Sequence, residues 1–157
     1  MADNFKRMLQ LVNEFFDVKN DPDQLDVNEE VIEHLQKLHP ATMSELTEGD
    51  GPVVWILLIP TLHTVMERFI SGAISETQLL NETQFNVAYD AIYLCSASVL
   101  PEYRHKGLAK KLTNDAISDI RKDNPVKSLF YWPFSEEGRM LAESVAKEAG
   151  LPLFHRR

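Results

Sequence analysis

The chain has 157 residues, 44% hydrophobic and 25% charged, with a formal net charge of −8. That is the composition of an ordinary soluble globular protein, and the length suits one domain spanning 1–157 with an ample core. The acidic balance argues against nucleic-acid binding, which needs a basic face. The one cysteine, Cys95, excludes an internal disulfide framework and suits a reducing cytoplasm. The first residues, MADNFKRMLQ, lack a basic region followed by an apolar block, and the longest apolar run, 53–59, is far too short for a bilayer. The expectation is a soluble, cytoplasmic protein without membrane or nucleic-acid partners.

In chain order, Phe5, Met8, Leu9, Val12, Phe15 and Phe16 recur at helical spacing and predict an amphipathic helix ending near Val18. Its aromatic stripe suits core packing; the alternatives are a substrate cleft or a dimer contact. Residues 19–23 read as a turn. Asp26 or Asn28 caps a second helix carrying Val31, Ile32, Leu35 and Leu38, closed by His39-Pro40. Residues 42–46 read as a short strand, 48–52 as a longer hairpin loop, and 53–59 as a central strand buried on both faces. A helix is predicted over 60–70, with Leu62, Val65, Met66, Phe69 and Ile70 on its apolar side. Gly72 interrupts it, and Ser75-Glu76-Thr77-Gln78 is a capping box for a further turn.

Residues 91–99 are almost all apolar or small, as in a strand covered on both faces. Pro101 stops that strand, since it restricts the residue before it and cannot donate to a ladder. A helix follows from about Gly107, with Leu108, Leu112, Ala116 and Ile120 on one face. The first N–H groups of a helix lack intrahelical partners and sit at the positive end of its dipole, so an anionic group can settle there if the backbone is accessible. Gly107 and Ala109 keep side chains out of the way, and Arg104, His105, Lys106, Lys110 and Lys111 add positive charge. The other reading is an ordinary strand-to-helix connection with a solvated basic turn. After this helix, Asn124-Pro125 breaks the chain and 128–132 reads as a strand ended by Pro133. A last helix begins at Ser135 or Glu136, with Met140, Leu141, Val145 and Ala149 inward, and ends at Gly150. Residues 151–154 suit a final short strand.

The run Val99-Leu100-Pro101-Glu102-Tyr103-Arg104-His105-Lys106-Gly107-Leu108-Ala109 resembles the acetyl-CoA signature of the GNAT superfamily of N-acetyltransferases, whose core is Arg/Gln-x-x-Gly-x-Gly/Ala. The close match covers residues 91–120. The resemblance implies an α/β (α+β) fold with a mixed, mainly antiparallel central sheet flanked by helices. Here it carries a helical insertion of about 25 residues between central strands, placed over the acceptor side. It further implies that Arg104, His105, Lys106, Gly107, Leu108, Ala109 and Lys110 hold the phosphates of acetyl-CoA, and that Val99 and Leu100 offer main-chain hydrogen bonds to the pantetheine arm.

Acetyl transfer needs a neutral amine, although an alkyl ammonium loses its proton only near pH ~10.4. It also needs a donor for the oxyanion and a proton for the departing thiolate. Many relatives place a glutamate base eleven residues before the signature Arg, where this chain has Tyr93. A tyrosine acid often stands four residues before the glycine ending the last helix; here that residue is Ala146, and Arg139 replaces the asparagine that often opens the same motif. The substitutes are Tyr93, Ser96 and Tyr131, each also readable as a packed strand residue. His63 and Glu67, at i, i+4 spacing, are read as a solvated helix face or as part of the acceptor cleft. Cys95 in an apolar strand is expected to be inert. His34 and His39 lack metal-ligand spacing, so no metal is expected.

Two functional expectations result. The first is an acetyl-CoA-dependent N-acetyltransferase acting on a small-molecule or peptide amine by direct attack on the thioester, with a homodimer as the candidate assembly. The second is a GNAT-like module that binds CoA or acyl-CoA without catalysis, as a sensor or partner-binding protein. A globular α/β protein that binds no nucleotide is the remaining reading.

Overall fold

A computed structural model describes residues 3–19, 25 and 28–156. Its helices are α1 Asn4–Lys19, α2 Glu29–Leu38, α3 His63–Ile70, α4 Glu76–Glu82, α5 Leu108–Asp123 and α6 Glu136–Ala149. Its strands are β1 Met43–Glu48, β2 Gly51–Thr61, β3 Ala91–Val99, β4 Ser128–Tyr131 and β5 Leu153–His155. Short 3-10 turns occupy Pro40–Thr42 and Pro101–Tyr103. The five strands form one mixed sheet in the order β1-β2-β3-β4-β5. The ladders β1–β2 and β2–β3 are antiparallel and long; β3–β4 and β4–β5 are parallel and short. A mixed sheet flanked by helices, with a helical insertion between two central strands, is the arrangement expected above.

Alternation along the strands divides the core between the two faces of the sheet. Leu57, Ile59, Tyr93 and Phe130 pack with Leu35 of α2, Phe69 of α3 and Leu79 of α4. Val54, Ile56, Leu58, Ile92 and Leu129 pack with Met8 of α1, Ile117 of α5 and Val145 of α6. The insertion therefore covers one face, while the helix of the signature covers the other.

Local chemistry sets most boundaries. The Asn28 side chain caps α2 by accepting from the Val31 amide at 3.0 Å. The capping box of α4 forms as expected: Ser75 Oγ accepts from the Gln78 amide, and Gln78 Oε1 accepts from the Ser75 amide. Gly150, in the left-handed region at φ +70°, ends α6. Of the turn predicted over 19–23, Lys19 instead closes α1 and 20–23 lie outside the described residues, as do the alternative cap Asp26 and the side chains of Phe15 and Phe16.

Three expectations are corrected. The helix expected from Pro60 starts at His63, and Pro60 and Thr61 extend β2. Val53 O accepts from Leu100 N and Thr61 O from Asp90 N, so the odd-numbered residues of β2 face β3. The missing N–H of Pro60 therefore faces the β1 side, where pairing has already stopped at Met43 opposite Leu57. The hairpin loop is also tighter than expected, with only Gly49 and Asp50 between strands. Gly49 adopts φ +67°, and Asn4 secures the turn by donating to Asp50 Oδ1 and the Glu48 carbonyl. Finally, Met140 is 58% exposed; the inward face of α6 runs through Ala142, Val145 and Ala146.

A buried carboxylate fastens the insertion to the sheet. Glu76 of α4 is 3% exposed. It accepts from the Leu25 amide at 2.7 Å and from the Tyr93 hydroxyl at 2.5 Å, with the Cys95 thiol 3.8 Å away. Burial, followed by the charge of Glu76, pushes the Tyr93 phenol well above its ordinary value, so it keeps its proton and acts as donor. Tyr93→Phe removes that donor from a buried carboxylate and is expected to destabilise the fold by about 1.5–3 kcal/mol, read as a lower urea midpoint. An unchanged midpoint contradicts the role assigned to the contact.

Candidate functional site

The site begins where the sheet comes apart. β3 has nine residues but pairs with β4 only from Ala91 opposite Ser128 to Leu94 opposite Tyr131. β4 stops there because Pro133, two residues on, cannot continue a ladder. On the other side of β3 the register with β2 jumps from Leu57–Ser96 to Leu58–Leu94, leaving Cys95 as the extra residue of a bulge. Beyond the bulge, Leu100 N donates to Val53 O, and by alternation Ser98 and Ser96 also address β2. The backbone groups of Ala97 and Val99 consequently face the gap left by β4.

That gap is a cavity of about 280 Å³. One wall is β3 from Leu94 to Val99. The opposite wall is formed by Tyr131, Trp132, Phe134 and the α6 residues Glu137, Gly138, Leu141, Ala142 and Val145, while Arg104, Ala109 and Thr113 close it on the α5 side. Thr113 is buried and turns its hydroxyl back to the Ala109 carbonyl at 2.7 Å, leaving the helix surface there slim.

At Arg104 and Ala109 the cavity borders the turn before α5. His105 and Gly107 both adopt left-handed backbone, at φ +62° and +74°. A Cβ on Gly107 meets nothing within 4 Å, so the helix mouth is open. The first intrahelical bond of α5 runs from Lys111 N to Gly107 O, which leaves the amides of Leu108, Ala109 and Lys110 in the unpaired first turn. Arg104, His105 and Lys106 are exposed around it, with the Lys106 ammonium 5.4 Å from the centre of the Tyr103 ring. Lys110 forms a solvent-exposed ion pair with Glu148 at 3.2 Å, a contact weak enough to be exchanged for a ligand anion.

Of the two residues expected to offer main-chain bonds, Val99 faces the gap and its carbonyl accepts from Arg104 Nε at 3.0 Å. Leu100 does not face it: its amide is taken by Val53, and its carbonyl by Tyr103 N. The second open position is Ala97, found only once the register with β2 is known.

The candidate catalytic residues separate in the same way. Ser96 and Tyr131 line the cavity. Tyr131 is 7% exposed, and burial, followed by Glu143, raises its phenol above the ordinary value. Tyr93 does not line the cavity; its hydroxyl is committed to Glu76 on the insertion side. Cys95 lines the cavity, with its thiol toward the same carboxylate. Ala146 packs in the core, and Arg139 is held by Glu136 and Glu143 of its own helix. His63 and Glu67 form an exposed pair on α3, away from the cavity. Glu137 was not singled out by spacing, yet it is the carboxylate among the described residues lining the cavity.

No group of three metal-ligating side chains occurs among the described residues, and none of their helices is long and apolar enough to cross a membrane.

No family model matches the chain, and no curated protein matches it. Among solved structures, the chain is similar to a GNAT family acetyltransferase from Brucella melitensis in complex with acetyl-CoA. The two share 15% identity, the match covers 85% of this chain and 71% of that one, and the TM-score is 0.41.

The turn before α5 is tied to α1 by a two-pronged contact of Arg7 with Glu102, at 2.6 and 2.7 Å. The guanidinium holds the Glu102 carboxyl down at about 2. A depressed carboxylate stabilises the fold at neutral pH and loses that contribution as pH falls below the ordinary carboxylate range toward 2; both side chains are exposed, so the contribution is small. Carbon-detected NMR is expected to show Glu102 titrating near 2 in the wild type and near its ordinary value in Arg7→Ala. An ordinary titration in the wild type contradicts the contact.

Proposed function

We propose that the protein is an acetyl-CoA-dependent N-acetyltransferase that passes an acetyl group directly to an amine. The observation that supports this most is the adjacency of two features, since the cavity along the strand edge reaches Arg104 and Ala109, on either side of Gly107. An unpaired strand edge at Ala97 and Val99 leads to an open helix mouth at Gly107, surrounded by cations. A ligand fitting both is long and slender, with amide groups along its arm and a diphosphate at its end.

The residues present suit each part of such a ligand. The unpaired amides of Leu108, Ala109 and Lys110 receive phosphate oxygens, and Arg104, His105 and Lys106 screen their charge. The edge of β3 hydrogen-bonds to the arm as a missing strand would. When bound, acetyl-CoA supplies an acyl carbon activated by its thioester. Around the site of transfer, Tyr131 retains its proton at neutral pH, which supports it as the acid that protonates the leaving sulfur. Glu137, at the rim, serves as an acceptor for the ammonium proton, directly or through water. Ser96 offers a hydroxyl from the strand edge. The remaining acceleration comes from holding the reactants together.

Calorimetry with CoA, followed by thiol release from acetyl-CoA with polyamines, aminoglycosides, amino acids and peptides, tests the proposal. Gly107→Glu is expected to weaken CoA binding at least tenfold, by placing a carboxylate in the helix mouth. Gly107→Ala carries the same left-handed strain, about 1–2 kcal/mol, without the charge, and is expected to keep most of the binding. CoA binding without turnover across the panel supports a non-catalytic CoA-binding module instead; no CoA binding overturns both.

A further inference from the structure

The cavity has two ends of different chemistry. Toward the α5 turn it is polar, with Ser98 and Arg104 on its walls. Its other end lies where β3 and β4 part. There Leu58 pairs with Leu94, and Leu94 with Tyr131, so one row of side chains stands on a single face of the sheet. Ala142 and Val145 of α6 close this end from above, and Leu11 of α1 borders it. Leu58, Ala142 and Val145 are 1%, 3% and 0% exposed, while Leu11 and Leu94 are half-buried, so this end is walled mainly by aliphatic side chains. Ala142 supplies only a methyl group where a larger side chain would fill the space. Arg104 and Glu137, the charged residues of the lining, stand toward the turn and in the first turn of α6, away from this end.

An aliphatic wall of this extent is more than a two-carbon acyl group alone can cover. On the reading that the cavity holds a CoA thioester, we infer that its aliphatic end receives the acyl chain. The protein then prefers short uncharged aliphatic acyl groups of three or four carbons over acetyl. Each further methylene placed there leaves water, which strengthens binding about fourfold. A carboxylate-bearing acyl chain such as succinyl loses its hydration with no cation to replace it, and is excluded.

The test is a calorimetric series with CoA, acetyl-CoA, propionyl-CoA, butyryl-CoA and succinyl-CoA on the wild-type chain. Propionyl-CoA is expected to bind about fourfold tighter than acetyl-CoA, butyryl-CoA tighter again, and succinyl-CoA no tighter than CoA itself. Ala142→Leu is expected to flatten the series from acetyl- to butyryl-CoA; Leu94→Ala, on the opposite wall, is expected to move the optimum to longer chains. Equal binding of acetyl-, propionyl- and butyryl-CoA, with CoA still bound, overturns the inference and leaves the nucleotide reading intact. Failure of CoA itself to bind overturns the nucleotide reading, and the inference with it.

Discussion

The structure depends on a ladder that stops early. A strand inside a sheet normally has both edges paired, because buried N–H and C=O groups need partners. β3 keeps its β2 edge to the end but loses its β4 edge after Leu94. Pro133 ends β4, and the chain turns through Trp132 and Phe134 into α6 instead of following β3. The bulge at Cys95 adds local twist just where the two strands part.

The surrounding elements keep that opening in shape. β2 is long and almost wholly buried, so it holds β3 from one side along its full length. The insertion holds it from a face, through Glu76 on Tyr93 and the aromatic cluster of Phe69, Tyr93 and Phe130. α1 reaches the turn beyond β3 through Arg7 and Glu102. An acidic protein thus presents one cationic turn at the mouth of one helix, where local charge rather than net charge decides which ligand approaches.

The sequence made legible what is decided locally. The strand over 91–99, the stop at Pro101, the glycine at 107 and the helix behind it are each carried by residues within a few positions of one another. The capping box at Ser75 and the stop at Gly150 belong to the same class. What spacing did not reveal depends on distant partners. Pro60 reads as a helix start until β1 is seen to end opposite Leu57. Leu100 reads as a free backbone donor until Val53 is found to take its amide. Tyr93 reads as a site residue until Glu76, seventeen positions earlier, claims its hydroxyl. Glu137 carries no spacing signal at all, and it reaches the cavity rim only because β4 ends short and brings α6 there.

Residue-resolved amide hydrogen exchange with and without CoA tests the central claim most directly, because it observes the open edge itself. The account predicts slower exchange at Ala97 and Val99, together with Leu108, Ala109 and Lys110, when CoA is added. Exchange at those five amides that is unchanged under saturating CoA, or protection confined to other strands, contradicts it.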